Sequence, residues 1–229
     1  SGKTNYIVTV SEKESLLFAE LIQVDFDNTS YKVCTLKPST EYDGSTLSYI
    51  YSHSGVQNVK SAVENMFSTS IDYYIDFEKD KFADYYDSLG EVNYAVSSDI
   101  KYKNNKTTVP YTVRIKAGEQ VIKGSQAVNL VRYYLESGNN QSGANDILLT
   151  SLSKQLNAEN FAEKDSFFQD LVTKANTNIT VRDYAAADDK ITVLCNSQNG
   201  ISIYGAEIKY KNNKITKKTL QKAKGYFTK

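Results

Sequence analysis

Short apolar runs along the chain alternate with longer stretches whose apolar residues recur every three or four positions. Tyr6-Ile7-Val8-Thr9-Val10 reads as a first strand. Leu16–Phe26 and Tyr31–Leu36 read as two more, joined by the turn Asp27-Asn28-Thr29-Ser30. After a polar stretch over 37–48, Ser54-Gly55-Val56-Gln57 has the Ser-x-x-Gln form of a capping box. Val56, Val59, Val63, Met66 and Phe67 follow at helical spacing, which predicts a helix over 55–67. Ile71–Phe77 reads as a strand. Glu78–Leu89 reads as a helix with Phe82, Tyr85, Tyr86 and Leu89 inward, closed by Gly90.

Further on, Tyr111–Ile115 is another strand. Gly124 opens a helix with Ala127, Val128, Val131 and Leu135 on one face. The Gly/Asn/Ser stretch over 137–145 reads as a flexible linker. Ile147–Leu156 and Ser166–Ala175 are amphipathic and predict two more helices. Strands are expected near 191–195 and 201–209, and a helical tail from Lys214. Strands alternating with helices of this length predict an α/β fold, a sheet covered on both faces. No composition shift marks a boundary, so residues 1–229 are expected to form one domain. One heptapeptide, Ile100-Lys101-Tyr102-Lys103-Asn104-Asn105-Lys106, recurs unchanged at 208–214. Its Asn-Asn pair suits a tight turn.

Composition narrows the chemistry. The 27 basic residues balance 27 acidic ones, so no net field attracts nucleic acid or an anionic membrane. There is no helix-turn-helix pattern and no basic stripe. Only Arg114, Arg132 and Arg182 are arginines, and guanidinium is the side chain that grips phosphate by a planar fork. Cys34 and Cys195 each sit in a short apolar run and read as small buried side chains on strands. Without a CxxC or Cys/His cluster, a structural zinc site is not expected. No apolar run reaches the roughly 18–20 residues a membrane helix needs.

Ile71-Asp72-Tyr73-Tyr74-Ile75-Asp76-Phe77, with Phe82 and Leu89-Gly90-Glu91-Val92, resembles the core of the LytR–CpsA–Psr family. Gly118-Glu119-Gln120-Val121-Ile122-Lys123-Gly124-Ser125-Gln126-Ala127-Val128 resembles that family's G-x-Q-x-L-x-G-x-x-A-L helix entry, and Val131-Arg132 follows where the family has its Tyr-x-Arg-x-Arg run. The resemblance spans residues 5–195. It implies a three-layer α/β/α sandwich with a central mixed sheet, on the extracellular face of a bacterial cytoplasmic membrane, tethered by an N-terminal anchor outside this sequence. Family members are similar to enzymes that move a wall glycopolymer from a polyprenyl-pyrophosphate carrier to peptidoglycan. The carrier's lipid lies in an apolar tunnel, arginines hold the pyrophosphate, and aspartates position magnesium.

At the positions that carry this chemistry the chain departs from the family. The family's Pro-Arg-Asp falls on Lys37-Pro38-Ser39, and the aspartate opening the second strand falls near Leu17. The lysine of its Lys-Ile-Asn segment falls near Thr46, the second arginine of Arg-x-Arg on Tyr134, and an Arg-Gln pair near Ala144-Asn145. Only Arg132 keeps a matching charge. Phosphoryl transfer depends on positioning and on spreading charge over metal ions and guanidinium groups. The expectation is therefore a scaffold without catalytic residues and without a resident cofactor, with Arg132, Lys37 and Arg114 as candidate anion ligands. Its partners would be a polyprenyl-linked glycan, peptidoglycan or an envelope protein. Two other readings stand beside it: a working magnesium-dependent transferase using Arg132, Lys37 and other lysines, and an unrelated extracellular binding module. His53, the lone histidine, reads as a helix-entry residue. Asp72, Asp76, Asp80 and Asp84 are spread over strand and helix rather than convergent. The tyrosine-rich segments read as core and rim, with sugar stacking as the alternative.

Overall fold

A computed structural model of the chain describes residues 2–137, 140–157 and 159–229. Strands β1 (Lys3–Glu12), β2 (Ser15–Asp25) and β3 (Ser30–Leu36) come first. A two-residue pair, β4 (Glu41–Tyr42) and β5 (Ser45–Thr46), leads into α1 (Leu47–Phe67), β6 (Tyr73–Glu78) and α2 (Lys79–Ser88). Two further pairs follow from β7 (Val92–Val96), β8 (Ile100–Asn104), β9 (Tyr111–Ile115) and β10 (Gly118–Ile122). Then come α3 (Gly124–Glu136), α4 (Gln141–Gln155), α5 (Lys164–Lys174), β11 (Asn176–Thr177), α6 (Val181–Ala186) and α7 (Asp188–Cys195). The chain finishes with β12 (Ser202–Gly205), β13 (Tyr210–Lys211), β14 (Lys214–Ile215) and α8 (Lys217–Lys224).

The central sheet has six strands in the order β11-β6-β1-β2-β3-β12. It is mixed: β1 pairs antiparallel with β2 and parallel with β6, and β3 pairs antiparallel with β2 and parallel with β12. Strands β2 and β3 are buried almost throughout, which explains their near-continuous apolar runs. One face, carrying Ile7, Leu21 and Leu36, packs under Val59, Val63 and Phe67 of α1 and the C-terminal Phe227. The opposite face, carrying Val8, Val10, Phe18 and Ile22, meets α2, α3, α4 and the β7–β10 strands. This is the α/β/α sandwich expected from the sequence.

Buried amides tie the sandwich together. Gln23 Nε2 donates to Asn5 Oδ1 (2.9 Å), and Asn5 Nδ2 donates to the carbonyls of Ser70 (2.9 Å) and Phe227 (3.2 Å). Gln141 and Asn145, in the first turns of α4, both donate to the Ala206 carbonyl (3.2 and 3.1 Å), and Asn145 Oδ1 accepts the Thr35 N–H (2.8 Å). These bonds fix α4 over β3.

Several local expectations need correction. The apolar segment 191–195 is the end of helix α7, not a strand, so Cys195 is half-buried on a helix while Cys34 is buried on β3. The acidic pair Asp188-Asp189 in the first turn complements the helix dipole, and the i, i+3 pair Ile191 and Leu194 packs inward. Only 202–205 of the expected 201–209 strand pairs with β3. Helix α1 starts earlier than 55, at Leu47, where the Thr46 hydroxyl accepts the Tyr49 N–H (3.1 Å); Gly55 (φ +78°) kinks it where a cap was expected. Within the expected linker, Gln141–Asn145 are already helical, while Gly138 and Asn139 lie outside the described residues. The repeated heptapeptide folds in two ways. Asn212 and Asn213 take φ of 50° and 65° and make a two-residue turn between β13 and β14, whereas the first copy runs into a longer loop before β9.

Gly124 permits the closest approach of α3 to α2. A Cβ at this position would lie 2.5 Å from the Ala83 carbonyl oxygen, and the Gly124 N–H donates to Asp87 Oδ1 (2.9 Å). Because the obstructing atoms are backbone, Gly124→Ala is expected to destabilise the fold by about 1–3 kcal/mol, read as a lowered urea midpoint.

Candidate functional site

The sheet face bearing Val8 and Ile22 is not fully covered. Between it and α2, α4, α5, α6 and α7 lies a cavity of about 410 Å³, within the roughly 300–1,000 Å³ usual for small-molecule sites. Its floor is Tyr6 and Val8 of β1, Ile22 and Val24 of β2, and Ile75 and Phe77 of β6. Its roof is Tyr86 of α2 and Leu89 just after it, Leu148 and Leu152 of α4, Phe168 and Leu171 of α5, and Ile191 and Leu194 of α7. Aromatic rings crowd one end: Phe82 meets Phe18 and Phe77 edge-on, with centroids 6.2 and 5.5 Å apart. Ala186 and Lys190 are lining residues exposed to solvent, which places an opening beside α6 and α7. There the Tyr184 ring stacks on Phe168 at 4.1 Å.

The cavity wall is largely apolar, and its polar atoms are mostly engaged. The Tyr31 hydroxyl donates to the Leu156 carbonyl (2.7 Å), and the hydroxyls of Tyr86 and Ser151 bond each other (2.8 Å). Gln155 Nε2 donates to the carbonyls of Tyr86 and Gly90 (2.7 and 3.0 Å). Among the described residues no arginine lines it. Its cations are Lys164, paired with Asp188 (2.7 Å) and Asp165 (3.3 Å), and Lys190, whose ammonium sits 5.8 Å from the Phe26 ring centroid.

Glu20 is the exception. Strand register sets it between Val8 of β1 and Thr35 of β3, and it shares the cavity-facing side of β2 with Ile22 and Val24. It is 3% exposed, and its Oε1 has no hydrogen-bond partner. Burial alone raises its pKa from 4.5 to about 8. The carboxyl is therefore held neutral near pH 7. Sequence reading passed over this residue. The available signal was one carboxylate inside the apolar run Leu16–Val24, where the other interior polar residue, Gln23, faces away and bonds Asn5 and Lys32.

None of the three candidate anion ligands lines the cavity. Arg132 is 3% exposed and donates from Nη2 to the Val109 carbonyl (2.7 Å), with its guanidinium 3.9 Å over the Tyr111 ring. Burial presses its pKa down. Lys37 is half-buried with its ammonium 4.2 Å over Tyr210, and burial lowers its pKa too. Arg114 is exposed on β9, opposite Lys101. His53 is exposed, stacked on Tyr49 at 3.8 Å.

The four aspartates considered from the sequence do not converge on a site that fits a magnesium ion. Asp76 Oδ1 accepts the hydroxyls of Thr9 and Tyr51 (both 2.8 Å), Asp72 Oδ2 accepts the Asn5 N–H (2.8 Å) and pairs with Lys229, and Asp80 and Asp84 are exposed on α2. Among the described residues no three His, Cys, Asp or Glu side chains gather into a metal-holding group.

The sequence profile of the LytR_cpsA_psr family matches residues 29–226. The chain belongs to the LytR–CpsA–Psr family. A protein of Eubacterium siraeum superposes with a TM-score of 0.83 at 20% identity, covering 98% of this chain and 90% of that one. TagV of B. subtilis gives 0.72 at 17% identity, over 98% and 95%. The structure of TagT bound to LI-WTA gives 0.66 at 14% identity, over 99% and 90%. At such identities these likenesses show the shared LytR–CpsA–Psr fold. No curated protein sequence matched the chain.

The buried carboxyl makes stability pH-dependent with a definite sign. The unfolded chain releases the Glu20 proton near 4.5 and the folded chain only near 8, so the folded state holds the extra proton between them. The contribution of Glu20 to stability therefore falls as pH rises through that window and levels off above it. Glu20→Gln removes the effect. Relative to wild type, the variant is expected to gain on the order of a few kcal/mol between pH 5 and pH 8. Paired urea titrations at those pH values check this; a parallel shift of both proteins would contradict it.

Proposed function

We propose that this LytR–CpsA–Psr domain works in the bacterial envelope as a lipid-binding protein that seats the apolar chain of a polyprenyl-type carrier without transferring a glycopolymer. One observation carries the reading: the cavity over Val8, Ile22 and Ile75 is large and apolar, while Arg132 and Lys37 are committed to Tyr111 and Tyr210 instead. Apolar contact area supplies the affinity, at roughly 25 cal/mol per Å² removed from water. A diphosphate would find no arginine at this wall, and desolvating it without cations is unfavourable. The family's position in wall-glycopolymer chemistry, and TagT bound to LI-WTA among the structural neighbours, make a polyprenyl-linked glycan the natural source of the chain. The working-transferase reading needs the Arg132 and Lys37 side chains at the lipid's head, and neither lines the cavity. The third reading, an unrelated module, ends with the family match.

Leu152 projects from α4 into the cavity and is half-buried, so a larger side chain there fills space rather than clashing with a tight core. Leu152→Trp is expected to lower isoprenoid binding at least tenfold, measured by native mass spectrometry with farnesyl phosphate, while the far-ultraviolet spectrum stays unchanged. Equal binding by both proteins would contradict the proposed seat. In a second assay, purified polyprenyl-diphosphate glycan, magnesium and peptidoglycan acceptor are expected to give no turnover with the wild-type protein. Turnover that disappears in a folded Arg132→Ala variant would establish the transferase instead.

A further inference from the structure

We propose that Glu20 hydrogen-bonds an uncharged hydroxyl terminus of the apolar chain held in the cavity, so that the site selects a long-chain alcohol over both the bare hydrocarbon and the diphosphate ester. The inference rests on the proposed lipid seat and adds the chemistry of the ligand's polar end. Its starting point is an unpaired oxygen: Glu20 lines a largely apolar wall, and its Oε1 is buried without a partner. Leaving a buried carboxyl oxygen unbonded is unfavourable, and a ligand atom that bonds it recovers that cost.

The surroundings choose the ligand's terminus. Beside Glu20 lie Val8, which offers nothing polar, and Thr35, whose hydroxyl is already given to Asn145 Oδ1. Across the cavity, Ser151 is held by Tyr86 and by the Ile147 carbonyl (2.8 Å). Burial raises the pKa of Glu20, and no ion pair is formed with the charged lining groups Lys164, Asp183 and Lys190 among the described residues. A phosphate brought to this position would meet no cation, and a second carboxylate or phosphate charge there would raise the cost further. A hydroxyl is different. It is neutral, small, and both donates and accepts, so it pairs with the carbonyl and the O–H of a protonated carboxyl. The aromatic end formed by Phe18, Phe77 and Phe82 sits next to Glu20 along the strands, which stops the chain at that depth.

The test compares farnesol, farnesene and farnesyl diphosphate as displacers of a neutral fluorescent naphthylamine from the wild-type, Glu20→Gln and Glu20→Leu proteins at about pH 6.5. Wild type is expected to bind farnesol about tenfold more tightly than farnesene, the equivalent of one good hydrogen bond, and to bind the diphosphate most weakly. Glu20→Gln keeps the preference for the alcohol, because its amide still donates and accepts. Glu20→Leu keeps farnesene binding and loses the preference. Equal wild-type affinity for farnesol and farnesene, or a preference that survives in Glu20→Leu, would overturn the role of Glu20 and leave the lipid seat standing. Displacement by none of the three would overturn the seat and this inference together. Tightest binding of the diphosphate would overturn the selection of an uncharged terminus.

Discussion

The structure depends on a sheet that must be covered on both faces and is fully covered on only one. Strands β2 and β3 are apolar on both sides, so neither face tolerates water. On one side α1 and the C-terminal Phe227 fill the space. On the other, the cover is assembled from the β7–β10 strands and helices α2 to α7, and it leaves about 410 Å³. A sealed void of that size would cost on the order of 10 kcal/mol at about 24 cal/mol per Å³, comparable with the whole stability of a domain. The opening beside α6 and α7 keeps that space from being a sealed void, and the proposed apolar ligand would fill it.

The polar residues inside the sandwich divide by whether the scaffold satisfies them. Gln141 and Asn145 stitch α4 to β3 and to Ala206, and Asn5 and Gln23 stitch the sheet to the C-terminus. Arg132 donates from Nη2 to the Val109 carbonyl and lies over the Tyr111 face, while its buried Nε has no hydrogen-bond partner. Each therefore explains the fold's rigidity. Glu20 has no such role in the scaffold, and a natural interior rarely keeps an unsatisfied carboxyl without a use for it. Glu20 lines the cavity whereas Arg132, whose Nε is also unpartnered, does not, and that position supports a ligand-facing assignment for Glu20.

Much of the fold was legible because its strongest signals are local. The runs Tyr6–Val10, Leu16–Phe26 and Tyr31–Leu36 could only be buried strands, and the 3–4 spacing behind Gly124 could only be a helix facing the core. The failure at 191–195 has a physical reason: β-branched Ile, Thr and Val favour strands by propensity, and tertiary packing of Ile191 and Leu194 overrides it. The two fates of the repeated heptapeptide make the same point, since identical residues turn tightly at 212–213 and not at 104–105. The candidate site was less legible. The family resemblance and their charge nominated Arg132 and Lys37, and only the structure shows what their side chains touch. The cavity itself has no sequence signature, because the residues around it are ordinary core residues.

The most direct test of the lipid seat is a crystal structure of the protein grown with a long-chain isoprenoid alcohol. The account predicts continuous electron density between β1–β2 and α4–α5, ending within hydrogen-bond distance of the Glu20 carboxyl. A cavity closed by inward rotation of Phe167, Phe168 and Leu171, with the lipid absent or on the outer surface, would contradict it.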